Sequence, residues 1–168
     1  MELGYDRLGS GPPLVLLHPL GADRRVWDPV LELLSAHREV IPVDLPGFGE
    51  SGSLPGLPTP RFLATALAEF LARIDFLRPH VAGNSLGGWV GLELALAGNA
   101  RSVTGLAPAG LWPKPLIPKP RIARRLAQLG LPLVDFMSLS AAGRRLLLAG
   151  AVAKPGNVPP EAADLPAN

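Results

Sequence analysis

The chain has 168 residues, 48% of them apolar, with sixteen basic against fourteen acidic side chains and a net charge of +2. That is enough for one domain with a sizeable core, and it supplies no strong field for nucleic acid. The lack of cysteine excludes a disulfide framework, a thiolate nucleophile and a cysteine-based metal site. The first residues, Met1-Glu2-Leu3-Gly4-Tyr5-Asp6, have neither the basic stretch nor the apolar run of a secretion signal. The apolar region 126–153 is cut by Gln128, Asp135 and Arg144-Arg145 into pieces too short to span a bilayer. The expectation is a cytoplasmic chain without a membrane span.

Residues 13–18, Pro13-Leu14-Val15-Leu16-Leu17-His18, form an apolar run between turn formers, as expected of a strand buried on both faces. Residues 28–36 carry Val30, Leu31 and Leu34 at helical spacing. A second strand is predicted over 40–45, with Pro42 marking an edge or a bulge. Residues 60–77 place Phe62, Leu63, Ala66, Leu67, Phe70, Leu71, Ile74 and Leu77 on one helical stripe. A third strand is expected at 80–84, a helix at 88–97 and a fourth strand at 101–107. Strands alternating with helices require crossovers, which predicts an α/β fold with a mostly parallel sheet.

After Pro108 the texture changes. Pro108, Pro113, Pro115, Pro118 and Pro120 break any regular element, and Leu/Ala-rich helical stretches follow at about 122–128 and 133–152. The chain therefore divides into a core, residues 1–111, and a small helical segment, residues 112–168. The basic cluster from Lys119 to Arg125 reads as a solvated helix face rather than an anion or membrane patch.

The most informative stretch is Gly83-Asn84-Ser85-Leu86-Gly87, a G-x-S-x-G between a predicted strand and a predicted helix. Such a turn is tight enough to demand small residues two before and two after the serine. It lifts the hydroxyl clear of the sheet and aims the helix N-terminus at a developing oxyanion. The plain alternative is that Ser85 only caps the helix, but a cap does not need glycine on both sides.

Three segments together, Leu17-His18-Pro19-Leu20-Gly21, Asp44-Leu45-Pro46-Gly47-Phe48-Gly49-Glu50-Ser51 and Gly83-Asn84-Ser85-Leu86-Gly87-Gly88, resemble the α/β-hydrolase superfamily of serine esterases and lipases in order and spacing. The resemblance covers about residues 3–112. It implies an α/β-hydrolase-type sheet with a helical cap, Ser85 as nucleophile, and an oxyanion hole formed by the backbone N–H groups of Leu20 and Leu86. The family usually has His-Gly where this chain has His18-Pro19, and proline has no N–H to donate; the matching donor is Leu20. The resemblance also implies a small ester-like substrate, no cofactor and no metal.

A triad would place its acid and its histidine after the serine. The three histidines here, His18, His37 and His80, all precede Ser85. The later acids, Glu93, Asp135, Glu161 and Asp164, sit in predicted helices or in the proline-rich tail rather than after a strand. No triad is recognisable, so the expectation is a hydrolase cut short before its last strands. The fourth strand would then be an exposed edge through which chains could associate. The alternatives are an inactive binding module that keeps the elbow, or a remnant without function. Gly47-Phe48-Gly49-Glu50-Ser51-Gly52 matches a dinucleotide-binding fingerprint, but Ser53-Leu54-Pro55-Gly56 follows it instead of a helix to hold a pyrophosphate.

Overall fold

The computed structural model describes residues 1–52, 54 and 58–111. The predicted cap, with its basic cluster and Trp112, lies outside the described residues. The elements in chain order are β1 (Pro13–Leu17), a 3-10 turn (Arg24–Trp27), α1 (Asp28–Ser35), β2 (Glu39–Val43), α2 (Pro60–Arg73), β3 (His80–Asn84), α3 (Leu86–Leu96) and β4 (Ser102–Leu106). All strand pairs are parallel, in the order β2-β1-β3-β4. The predicted α/β fold is the observed one.

β1 is apolar at every position because both of its faces are covered. Val15 and Leu17 join Ile41, Val43 and Val81 under α2 and α3, whose Leu63, Leu67, Phe70, Val90 and Leu94 close that core. Leu14 and Leu16 point the other way, with Val40, against Trp27, Leu31 and Leu34. A helix-covered parallel sheet of this kind produces continuous rather than alternating apolar strands.

Pro42 sits in β2 without disturbing its pairing with β1, where it lies opposite Leu16. On the other side the N-terminal segment runs antiparallel to β2, with bridges at Tyr5–Val43 and Leu8–Val40. There the Asp6 N–H donates to the Pro42 carbonyl at 3.3 Å, while the Pro42 ring offers no reciprocal donor. The proline thus marks the outer side of β2, as an edge position should.

The helix ends follow their local chemistry. Thr59 caps α2, its hydroxyl accepting from the Phe62 N–H at 3.2 Å, and Pro60 takes the first helical position. The helix stops at Arg73, four residues before the predicted end. Asp75 turns left-handed, with φ +55°, and the Phe76 N–H bonds back to the Leu71 carbonyl at 2.9 Å. This closing turn puts buried Phe76 against Leu71, as Schellman ends do. Phe76, not the exposed Leu77, therefore completes the apolar stripe. No helix among the described residues is long and apolar enough to cross a membrane.

Chain connections leave β1 toward β2 and leave β3 toward β4, in opposite directions along the sheet. The switch point therefore falls between these two adjacent strands, and open α/β sheets bind ligands at the carboxyl ends of such a pair.

Candidate active site

Ser85 stands at that switch point, at the carboxyl end of β3 and immediately before α3. Its backbone has φ +50° and ψ −109°, a conformation rarely adopted by a residue with a side chain. Three main-chain bonds hold it there. The Ser85 N–H donates to the Leu106 carbonyl at 3.0 Å, and the Ser85 carbonyl accepts from Trp89 at 3.1 Å and from Ala109 at 2.9 Å. β4 and its exit loop thus brace the turn.

The flanking glycines are required by close approach. A Cβ on Gly83 would lie 2.3 Å from the Gly87 carbonyl oxygen, and one on Gly87 would lie 2.3 Å from the Leu17 carbonyl oxygen. The second contact also shows that the turn rests on the end of β1. The side chain of Ser85, which is half-buried, makes no capping bond to α3. The helix does not use the hydroxyl, which removes the plain capping explanation.

Leu86 is the first residue of α3, so its N–H has no partner within the helix. Leu20 lies in the exit loop of β1 with its side chain exposed. Neither N–H donates to a backbone acceptor among the described residues. Among the described residues, then, one free backbone donor follows β1 and another opens α3 directly after Ser85.

His18 is fully buried next to this loop. Its Nδ1 lies 2.8 Å from the Pro19 carbonyl oxygen, and its Nε2 accepts from the Leu45 N–H at 2.9 Å. These partners assign the proton to Nδ1, and the ring lies edge-on to Phe48 at 5.4 Å. Burial lowers its pKa below the ordinary histidine value, against smaller opposing effects of the Pro19 carbonyl, Asp44 and Asp23. Both nitrogens are engaged in holding loops together, so His18 has no lone pair to offer Ser85. His80 opens β3 and its Nδ1 meets Ser102 Oγ at 2.7 Å, at the amino end of the sheet. His37 precedes β2 at that same end.

The Asp44-to-Ser51 loop is wound around a buried carboxylate. Asp44 accepts from the Arg24 N–H at 2.7 Å, the Glu50 N–H at 2.9 Å and the Arg24 guanidinium at 2.5 Å. Arg24 also reaches Asp6 at 2.8 Å and Glu50 at 3.0 Å. Burial alone would lower the Arg24 pKa, but these carboxylates hold it above its ordinary value. Ser51 Oγ donates to the Asp44 carbonyl at 2.6 Å and accepts from the Gly4 N–H at 2.9 Å. Gly49 lies against the Asp44 carboxylate, so this glycine serves a structural loop. Arg24 is the residue that motif reading overlooks. Its signal is indirect: an acid ending an apolar strand must find a partner.

Among the described residues no group of three or more His, Asp or Glu side chains could hold a metal ion. A cleft of about 350 Å³ between α2 and α3, lined by Arg61, Glu69, Glu93 and Asn99 among others, lies at the opposite end of α3 from Ser85.

The family model for the alpha/beta hydrolase family matches residues 14–167. The chain belongs to this family. Among its relatives, the pimeloyl-[acyl-carrier protein] methyl ester esterase of Aeromonas salmonicida is 42% identical over 100 residues, 57% of this chain and 37% of that protein. A hydrolase from Pseudomonas aeruginosa has a similar structure, with a TM-score of 0.66 and 30% identity over 99% of this chain and 63% of that one. The enol-lactonase of Burkholderia xenovorans LB400 matches 60% of this chain and 41% of its own, at TM-score 0.56 and 30% identity. This α/β hydrolase chain thus spans less than two fifths of the curated esterase it matches.

Proposed function

We propose that this α/β hydrolase chain carries the nucleophile and oxyanion hole of a serine hydrolase acting on a carboxylic ester or related acyl bond of a small molecule. Ser85 Oγ attacks the acyl carbon, and the N–H groups of Leu20 and Leu86 receive the oxygen as it becomes negative. The observation that carries this reading is the strained Ser85 turn at the switch point of the sheet, with a hydroxyl that does not cap the helix it precedes. A methyl ester esterase and a lactonase among the relatives support the ester class. All three histidines precede Ser85, and His18 is committed on both nitrogens. On this reading the proton-accepting histidine comes from outside this sequence, in line with the greater length of the relatives.

The test compares the purified chain with its Ser85→Ala variant on p-nitrophenyl acetate. Steady turnover of the two should agree within a few-fold, because serine without a base turns over poorly. Turnover typical of a competent esterase that is abolished by Ser85→Ala would place the base within this chain or a partner copy. We further propose that β4 serves as an association edge. It pairs only with β3 among the described residues, and Ser102, Thr104, Gly105 and Leu106 are exposed.

A further inference from the structure

At the amino end of the sheet a second serine meets a histidine. His80 and Ser102 are the first residues of β3 and β4 and face each other in register. Just before them the Arg101 N–H donates to the Pro79 carbonyl at 2.8 Å, tying the two strand starts together. Val81 and Val103 pack in the core under α2 and α3, so His80 and Ser102, one position earlier, lie on the opposite face. There His80 Nδ1 and Ser102 Oγ approach to 2.7 Å, the separation of a nucleophile and its base. Ser102, Thr104 and Leu106 are exposed along this face, so the hydroxyl is held and yet open to reagents. Among the described residues Ser102 Oγ has no other side-chain partner, and Nε2 of His80 has none. The hydroxyl proton thus has Nδ1 as its acceptor, and the ring proton stays on Nε2.

The charges at this end favour one kind of reagent. Each strand is entered from an exposed arginine, Arg78 two residues before His80 and Arg101 next to Ser102. Neither forms an ion pair among the described residues. The α2–β3 loop adds one exposed acid, Asp75, so these two strand entries keep a net positive charge that attracts anions. We propose that Ser102 and His80 form an acyl-acceptor site, separate from Ser85, that takes the acyl group of an acyl phosphate. Ser102 Oγ attacks the acyl carbon while Nδ1 takes the hydroxyl proton. The bond from the acyl carbon to the phosphate oxygen breaks, and the phosphate leaves with the electron pair. His80 then releases its proton to water, and the product is an O-acyl serine. The inference does not depend on the role proposed for Ser85.

The test incubates the native chain with acetyl phosphate and reads the acetylation of each serine by tandem peptide mapping. Dilute solution keeps association through β4 to a minimum. Ser10, also exposed, forms no hydrogen bond to a histidine and serves as the reference within the same chain. Ser102 should be acetylated about 100-fold faster than Ser10, the contribution of a positioned base. In unfolding urea the two rates should come within a few-fold of each other. The same should hold in His80→Asn, whose side-chain oxygen accepts from Ser102 but takes no proton from it. Similar rates for the two serines in the folded native chain would overturn the proposal and leave the bond a tie between strand ends. A fast Ser102 in His80→Asn would overturn it as well. Replacing Arg78 and Arg101 together by glutamine should slow acetylation of Ser102 by acetyl phosphate several-fold more than by neutral p-nitrophenyl acetate. An equal response to the two donors would overturn the acyl phosphate class.

Discussion

A methyl group added at Gly87 would sit 2.3 Å from the Leu17 carbonyl oxygen and 2.8 Å from that of His18, both rigid backbone. Gly87→Ala must therefore push α3 off the end of β1. The expected cost is about 1–3 kcal/mol, as for other overpacked sites, read as a lower urea midpoint. An unchanged midpoint would mean that the elbow rests less closely on β1 than described here. His18 gives a second prediction at this scale. Its pKa is lowered on folding, chiefly by burial, so below the ordinary value of 6.5 the unfolded chain binds a proton that the folded chain refuses. Its contribution to stability is thus full above pH 6.5 and is lost as pH falls below it, at no more than about 1.4 kcal/mol per pH unit. Asp44 and Asp23 face the ring and oppose this effect without reversing it. Asp23, held below its ordinary value mainly by its Arg25 hydrogen bond, loses its own contribution only below pH 3.8. Unfolding free energy measured from pH 7.5 to 5 should decline for the native chain and stay flatter for His18→Asn. Parallel curves would contradict a buried, neutral His18.

At the scale of elements, the 3-10 turn, the N-terminal segment and the β2 exit loop meet at Arg24. The Asp44 side chain is fully buried, and that of Arg24 is 15% exposed. Arg24→Ala leaves Asp44 without its counter-charge, at an expected cost of about 2–4 kcal/mol, the low side of values for broken buried pairs because the guanidinium keeps some water. Arg24→Lys should recover only part, since an ammonium cannot reproduce the spread of donors toward Asp6, Asp44 and Glu50. Both are measurable by urea unfolding, and full recovery by lysine would reduce the hub to a point charge. The strands were legible because an apolar run between turn formers has few other homes, and the G-x-S-x-G turn because sterics leave it little freedom. The end of α2 was not legible. Leu77 continues the helical stripe in sequence, but Asp75 accepts a left-handed turn that delivers Phe76 instead. The Arg24–Asp44 pair was also hidden, since twenty residues separate them and periodicity carries no information about such contacts.

For the whole molecule, the sheet order puts the helix-covered core on both faces and leaves β4 at one end among the described residues. An edge of this kind templates association. Sedimentation velocity should show a concentration-dependent dimer, shifted toward monomer by Thr104→Lys; a monodisperse monomer at all concentrations would dismiss the β4 interface. The same sheet order sets the ends of β1 and β3 side by side, and on that convergence the role proposed for Ser85 and Leu20 depends. On the function proposed above, in which no base from this chain deacylates it, Ser85 should accept one acyl group slowly and keep it. The deciding measurement is peptide mass mapping of the chain after exposure to p-nitrophenyl acetate. The account predicts an acetyl group on Ser85, in a fraction that grows with time, and none on that peptide in Ser85→Ala. Acetylation confined to lysines and the N-terminus, with Ser85 unmodified, would contradict it.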